Sequence, residues 1–323
     1  MKLALPILAT ALFACAADPD GEPDGDDGQP RVRIISPTQG QLILRDTLDA
    51  DGLRIAPVSI EASGPEGADI ELWLDGEKIA DTTTFELAAT QARFYELEAR
   101  AVSGGELVAS SLVQFGVQDP NFSCEQWLDL FSIESETGPV REGVAESITV
   151  VPPIGGIDYR FLGDATLRAD LSADCSLIVA LADSAPILRA RGVVEVVDIG
   201  VYNYRCIGGG TPPNCPEGIS QHAFATAIDI AGYLTSDGEY YSVNDDWVID
   251  SGGSTCGAVT ENTRDEFLHE IICAQKAAGI WNIVLTPNFN AAHRNHFHVD
   301  LTPNGDFTRR AAGIDVDLGP SGH

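Results

Sequence analysis

Positive charge is scarce in this chain of 323 residues: 19 Lys and Arg stand against 49 Asp and Glu, a formal net charge of -30. Nucleic acids and anionic lipid surfaces recruit clustered cations, so this balance excludes both as partners of the folded surface. No apolar run reaches the roughly 20 residues that a membrane-spanning helix needs. Residues 31–118 contain neither Cys nor His, which excludes thiol and imidazole chemistry there. No Cys-x-x-Cys pair occurs anywhere, so a structural zinc built from cysteines is disfavoured. Internal repeats are absent. Histidine is also rare, six in all, yet four of the six fall in two short segments.

The N-terminus reads as a leader, with Lys2 ahead of a short apolar run from Leu3 to Phe13. Leu12-Phe13-Ala14-Cys15 resembles a bacterial lipobox. That resemblance implies a signal peptide over residues 1–14 and lipidation of Cys15; the alternative is an ordinary signal peptide cut near Ala14 or Ala17. Residues 15–30 form an acidic, Gly/Pro-rich linker expected to be disordered. Ala16 does not resemble the Asp retention signal, so the outer membrane is the expected anchor, with the body in the periplasm or at the cell surface. The lipid is the expected membrane contact. Six further cysteines remain: Cys124, Cys175, Cys206, Cys215, Cys256 and Cys273. In an exported chain an even number reads as three disulfides, with 15 connectivities open. Proximity favours Cys206–Cys215 and Cys256–Cys273, leaving Cys124–Cys175.

Residues 31–118 alternate apolar and polar positions in short runs such as Val58-Ser-Ile60-Glu-Ala62, Ile70-Glu-Leu72-Trp-Leu74 and Tyr95-Glu-Leu97-Glu-Ala99. Turn residues such as Asp75-Gly76 separate them, giving six or seven expected strands and an all-β sandwich. The segment resembles bacterial immunoglobulin-like domains, and a spacer or adhesive role is expected. From residue 121 to 305 helical and strand patterns mix. Helices are expected over Cys175–Ala190, with Pro186 as a possible kink, and Thr263–Ala278. Strands are expected over Val193–Tyr204, Ala227–Tyr233, Tyr240–Val243, Trp281–Leu285 and His296–Leu301. Residues 306–323 read as a C-terminal tail.

The chemistry concentrates in Ser220-x-His222-x6-Asp229 and in His293-x-x-His296-Phe-His298-x-Asp300. Imidazole and carboxylate are the usual ligands of catalytic zinc, which takes three protein groups and keeps one position open. An Asp between isoleucines is costly to bury unless paired or metal-bound. His296 and His298 stand two apart, so on a strand they share a face. One can bind a metal while the other serves as a base.

Together with Tyr204-Arg205-Cys206 and the Phe267-Leu268 helix, these residues resemble the extensin-like C-terminal domain family, over about Cys124 to Leu301. It is a branch related to the D-alanyl-D-alanine carboxypeptidases and murein endopeptidases among the lysostaphin/hedgehog-type zinc peptidases. The resemblance implies an α+β fold around a small antiparallel sheet, and Zn2+ held by His222, Asp229 and His298. It implies hydrolysis of peptidoglycan stem peptides, by DD-endopeptidase or D,D-carboxypeptidase action. His296 and His293 are the candidate bases. Arg205 is expected to stabilise an oxyanion or dock a carboxylate, or else to sit in a surface ion pair. Ser220 and Asp300 are expected beside the ligands. The chain departs from the family pattern at Gln221, where Glu is usual, and at Ala225, where Gly is usual. If that position needs positive φ, Ala225 carries a cost. The rival reading is a non-catalytic wall-binding or structural protein with a zinc site; a third is zinc hydrolysis of another bond, such as an ester.

Overall fold

The computed structural model describes residues 30–249, 255–257, 259–303, 305 and 307–309. The leader, Cys15, nearly all of the acidic linker and the residues after Arg309 lie outside the described residues. No described helix is long and apolar enough to cross a membrane. Residues Arg33 to Gln118 build a β-sandwich. One sheet joins Arg33–Ser36, Arg54–Ser63, Thr47–Leu48 and Thr84–Ala89. The other runs Leu42–Leu44, Glu106–Gln118, Phe94–Ser103, Asp69–Leu74, Glu77–Ala80. In Arg54–Ser63 the side chains alternate strictly, so Ala56, Val58, Ile60 and Ala62 enter a core shared with Leu72, Leu97 and Phe115. Nine strands form where six or seven were expected. The additional ones span two to four residues, too few to display a period in sequence.

Residues from Cys124 onward have a separate core. Its main sheet has seven strands in the order Asp158–Phe161, Val193–Gly200, Ala227–Thr235, Phe297–Asp300, Ile283–Leu285, Phe307–Arg309, with Tyr240–Ser242 also paired to Ala227–Thr235. The inner pairings are antiparallel, but the outermost pair on each side is parallel. The expected small antiparallel sheet is therefore corrected to a larger mixed one, because Asp158–Phe161 and the start of the expected tail join its edges. Ser135–Thr137, Ser147–Val150 and Leu171–Asp174 form another sheet that the sequence pattern did not reveal.

Helices Cys175–Arg189 and Thr263–Ala277 share the core with Ile228, Ile230, Phe297 and Val299. Strand alternation then turns His298 and Asp300 to the opposite face of the sheet. Pro186 does not split its helix: it lies in the last turn, where only the Ala182 carbonyl loses an intrahelical donor. The disulfides are Cys124–Cys175, Cys206–Cys215 and Cys256–Cys273.

The two bodies are fastened by charge. Arg45 donates to Asp119 at 2.8 and 3.1 Å, and to the Ala278 carbonyl at 3.2 Å. Arg54, from the sandwich, forks onto Asp183 of the Cys175–Arg189 helix and reaches Asp119 at 2.8 Å. Its guanidinium also lies 4.7 Å from the Trp127 ring. Arg54 and Asp183 are only 6% and 5% exposed, so this pair is out of water.

Candidate metal centre

His222 rides on a single 3-10 turn, Gln221–Phe224, that ends at Ala225. Ala225 is fully buried with φ 53° and ψ 32°, the left-handed conformation. The departure from Gly at this position thus costs about 1 kcal/mol of backbone strain. Gln221, the other departure, accepts a hydrogen bond from the Thr226 hydroxyl at 2.8 Å. After the turn the chain enters Ala227–Thr235, which carries Asp229. The neighbouring strand places His298 directly opposite Asp229 in the antiparallel register. Sheet pairing therefore joins two candidate ligands 69 residues apart, and the turn brings the third.

The three ligand atoms converge. His222 Nε2 lies 3.1 Å from Asp229 Oδ1 and 3.1 Å from His298 Nδ1, and His298 Nδ1 lies 2.9 Å from Asp229 Oδ1. Three atoms so spaced can all reach one ion at about 2 Å, the usual length of zinc bonds to nitrogen and oxygen. The far side of each ring fixes its tautomer. His222 Nδ1–H donates to the Val201 carbonyl at 2.9 Å, and His298 Nε2–H donates to Asp300 Oδ2 at 2.9 Å. Asp300 is itself held by the Thr302 amide and hydroxyl, at 2.8 and 2.7 Å. Both imidazoles thus aim a lone pair inward, with a carboxylate holding one of them, the arrangement typical of metal-ligating histidines. The donor set fits a divalent ion of zinc's preferences. Another group close enough to hold an ion joins Cys124 and Cys175 with Glu146, but those sulfurs are bonded to each other.

Lone pairs this close need a cation between them. Burial opposes charge on Asp229, but the imidazoles of His222 and His298 beside it prevail and hold its carboxyl far below the usual range. Burial likewise opposes charge on His298; Asp229 and Asp300 prevail and push its pKa up to about 9. A proton on His298 Nδ1 is the metal-free solution. It must leave when an ion binds, so zinc affinity is expected to rise as pH climbs from 7 toward 9. Calorimetry in buffers of different ionisation heat should register close to one proton released at pH 7.5; no release would contradict the protonated cluster. Because the His298 pKa is raised, its stabilising contribution is full below about 6.5 and lost as pH rises through about 9. The chelated protein should therefore lose thermal stability over that alkaline window.

The remaining candidates surround this cluster. His296 Nε2 is 3.6 Å from Asp229 Oδ1, on the same side as His298, as the two-residue spacing suggested. Its Nδ1–H donates to Asn295 Oδ1 at 2.9 Å, and that of His293 donates to Asn290 Oδ1 at 2.8 Å, leaving each Nε2 basic. The His293 and His296 rings are 5.1 Å apart. Burial, aided by neighbouring imidazole charge, lowers the His293 pKa to about 4, and burial also lowers that of His296 although Asp229 opposes it. Both are neutral at pH 7 and can accept a proton. Arg205 lies close enough for its charge to depress both histidines. Its Nε is buried without a hydrogen-bond partner, and no acidic side chain pairs with it among the described residues. Among the described residues, then, the surface ion pair considered for Arg205 has no acidic partner. Ser220 is buried as the cap of the His222 turn, without a side-chain capping bond; its amide donates to the Arg205 carbonyl at 3.1 Å. His269 stands apart, stacked on Trp247 with centroids 3.8 Å apart and its Nδ1–H on the Asp265 carbonyl. Sequence reading missed Asn290 and Asn295, whose role as ring holders has no signal beyond proximity, and the Val201 carbonyl, which has none.

Fold and site define an α+β domain that carries a two-histidine, one-aspartate cluster on a mixed sheet, beside a β-sandwich. Residues 162–309 match the family model described as extensin-like protein C-terminus, a span that contains every one of these site residues. No curated protein matches the chain. Similar solved structures include the fibronectin(III)-like modules of Clostridium thermocellum CbhA, at 12% identity over 29% of this chain and 100% of that one, TM-score 0.22. Another is the N-terminal four-Ig-domain structure of Dscam1 isoform 6.9, at 13% identity over 28% of this chain and 21% of that one, TM-score 0.19. A third is a Bacteroides ovatus mixed-linkage glucan utilization locus protein, SGBP-B, at 11% identity over 68% of this chain and 49% of that one, TM-score 0.23. Scores this low carry no argument about fold or activity.

Proposed function

We propose that this chain is a zinc-dependent hydrolase of peptidoglycan stem peptides, acting as a DD-endopeptidase or a D,D-carboxypeptidase. The observation that carries the reading is the convergence of His222 Nε2, Asp229 Oδ1 and His298 Nδ1 with both ring tautomers set for ligation. His222, Asp229 and His298 would hold zinc there, and a bound zinc would supply Lewis acidity for activating water and polarising a carbonyl. The chain's own groups do the rest. His296 takes a proton at Nε2 and returns it to the leaving amine, with His293 beside it to share that load. Arg205, which pairs with no acid among the described residues, holds negative charge on the substrate, either the developing oxyanion or a carboxylate. A site meant only to bind zinc has no use for two spare neutral imidazoles beside it. The family match over the whole site supports the reading. Three disulfides suit an oxidising compartment, and with the lipobox-like Leu12–Cys15 they support export and lipid anchoring.

The test is mass analysis of purified muropeptides after incubation with residues 31–323, with zinc or with chelator. Cross-linked dimers converted to monomers only with zinc identify an endopeptidase, and loss of one terminal alanine identifies a carboxypeptidase. Stoichiometric zinc with no cleavage overturns the hydrolase reading and leaves the wall-binding one. Arg205→Ala should lower kcat/KM by about 100-fold or more, the size of one lost oxyanion donor. Arg205→Lys should recover only part of this, because the planar fork is gone.

A further inference from the structure

The turn Arg141–Gly143 sits outside both site motifs, yet it presses on the two segments that hold His222. Gly143 has φ +85°, and a Cβ added there would stand 2.5 Å from the carbonyl oxygen of Ala223, the residue after His222, and 3.3 Å from the Tyr204 ring. Backbone oxygen cannot yield to such a contact as a flexible side chain could. One residue earlier, the Glu142 carbonyl accepts the Tyr202 hydroxyl proton at 3.1 Å, and one before that the Arg141 guanidinium lies 4.9 Å from the Tyr202 ring. The clamped stretch, Val201 to Tyr204, supplies the carbonyl that fixes the His222 tautomer. The Asn203 amide also donates to the His222 carbonyl at 3.0 Å. The turn is anchored beyond the contact: the Glu146 amide donates to Asp174 Oδ2 at 3.2 Å, and the Asp174 amide donates to the Ala225 carbonyl at 3.2 Å.

We infer that Gly143 is a positioning residue for the metal centre: by letting the Arg141–Gly143 turn lie directly on Ala223 and Tyr202, it sets the height and tautomer of His222. The inference rests on the metal site proposed above, and on this chain's residues alone. Gly138 provides a matched control. It belongs to the same hairpin region, and a Cβ there would meet Ser147 Oγ at 2.5 Å and backbone atoms of Ile148 at 2.9 Å, none of them in Val201–Tyr204 or the His222 turn.

The experiment measures zinc affinity by chelator competition and the visible absorption of the cobalt(II)-loaded protein, alongside thermal midpoints. Gly143→Ala is expected to weaken zinc binding about 10- to 100-fold and to alter the cobalt bands, the scale seen when a ligand's outer partner is lost. Gly138→Ala should lower the thermal midpoint while leaving affinity and bands as in the wild type. Tyr202→Phe, which removes one hydrogen bond without adding an atom, should weaken zinc binding several-fold at nearly unchanged stability, and it decides the matter if Gly143→Ala does not fold. Wild-type affinity and bands in Tyr202→Phe and in any folded Gly143→Ala would overturn the inference. A wild-type chain that takes up neither metal overturns the metal reading itself, and this inference with it.

Discussion

His296→Ala is expected to keep its zinc and lose turnover. The side chain is not among the three converging ligands: its Nε2 is 3.6 Å from Asp229 Oδ1, and its other nitrogen is turned to Asn295. Metal content after gel filtration should match the wild type. The rate on muropeptides should fall by about 100- to 10,000-fold, the range that a positioned general base supplies. The residual rate should reflect His293, whose ring is 5.1 Å away, so His293→Ala in the same chain should lower it again. His298→Ala should behave differently. It removes a ligand and releases Asp300 from its partner, so both zinc and turnover should go. Turnover within threefold of wild type in His296→Ala would remove that histidine from the proposed chemistry, and loss of its zinc would make it a ligand.

Arg54→Ala is expected to cost the most stability of any single replacement at the junction, about 3–5 kcal/mol. Burial already holds the Asp183 carboxyl above its usual range even with the Arg54 charge beside it. Taking the guanidinium away leaves a buried acid with only the charge of Arg45 nearby and no hydrogen-bonded partner, and strips Asp119 of one of its two arginines. The thermal midpoint should drop by about 10 °C. Arg93→Ala, which breaks a more exposed pair with Asp75, should cost about 1 kcal/mol or less. Arg54→Met with Asp183→Leu should recover much of the loss, since the removed desolvation offsets the removed attraction. A midpoint within 2–3 °C of wild type for Arg54→Ala would mean that the two bodies do not depend on this pair.

Much of this was legible in the chain, and for physical reasons. The alternation in Val58-Ser-Ile60-Glu-Ala62 is the signature of a strand with one face in a core, and that segment is one. Asp229 and His298 stood out as polar residues inside apolar strands, where burial needs pairing or a metal, while the full set with His222 came only from the family resemblance. Cys206–Cys215 and Cys256–Cys273, favoured by proximity, are bonded, and Cys124–Cys175 is the pair left over. Other features had no local signal. The edge strand Asp158–Phe161 is four residues long, and its place is set by parallel pairing with Val193–Gly200. The Arg54–Asp183 pair spans 129 residues, and nothing near either residue marks the other. Ala225 shows the reverse: the departure from Gly was visible, but its cost became definite only with the φ of 53°.

Two of the three candidate ligands face each other because their strands are paired in this register. Side chains on a strand change face at every residue, so a slip of one position would set Phe297 or Val299 opposite Asp229 and send His298 toward the helices. Only a slip of two would keep the face, and it would set His296 or Asp300 opposite Asp229 in place of His298. The meeting of Asp229 and His298 is therefore a readout of register: a chain paired one position out would hold Asp229 without His298 beside it, and the cluster forms only with the Ala227–Thr235 and Phe297–Asp300 ladder.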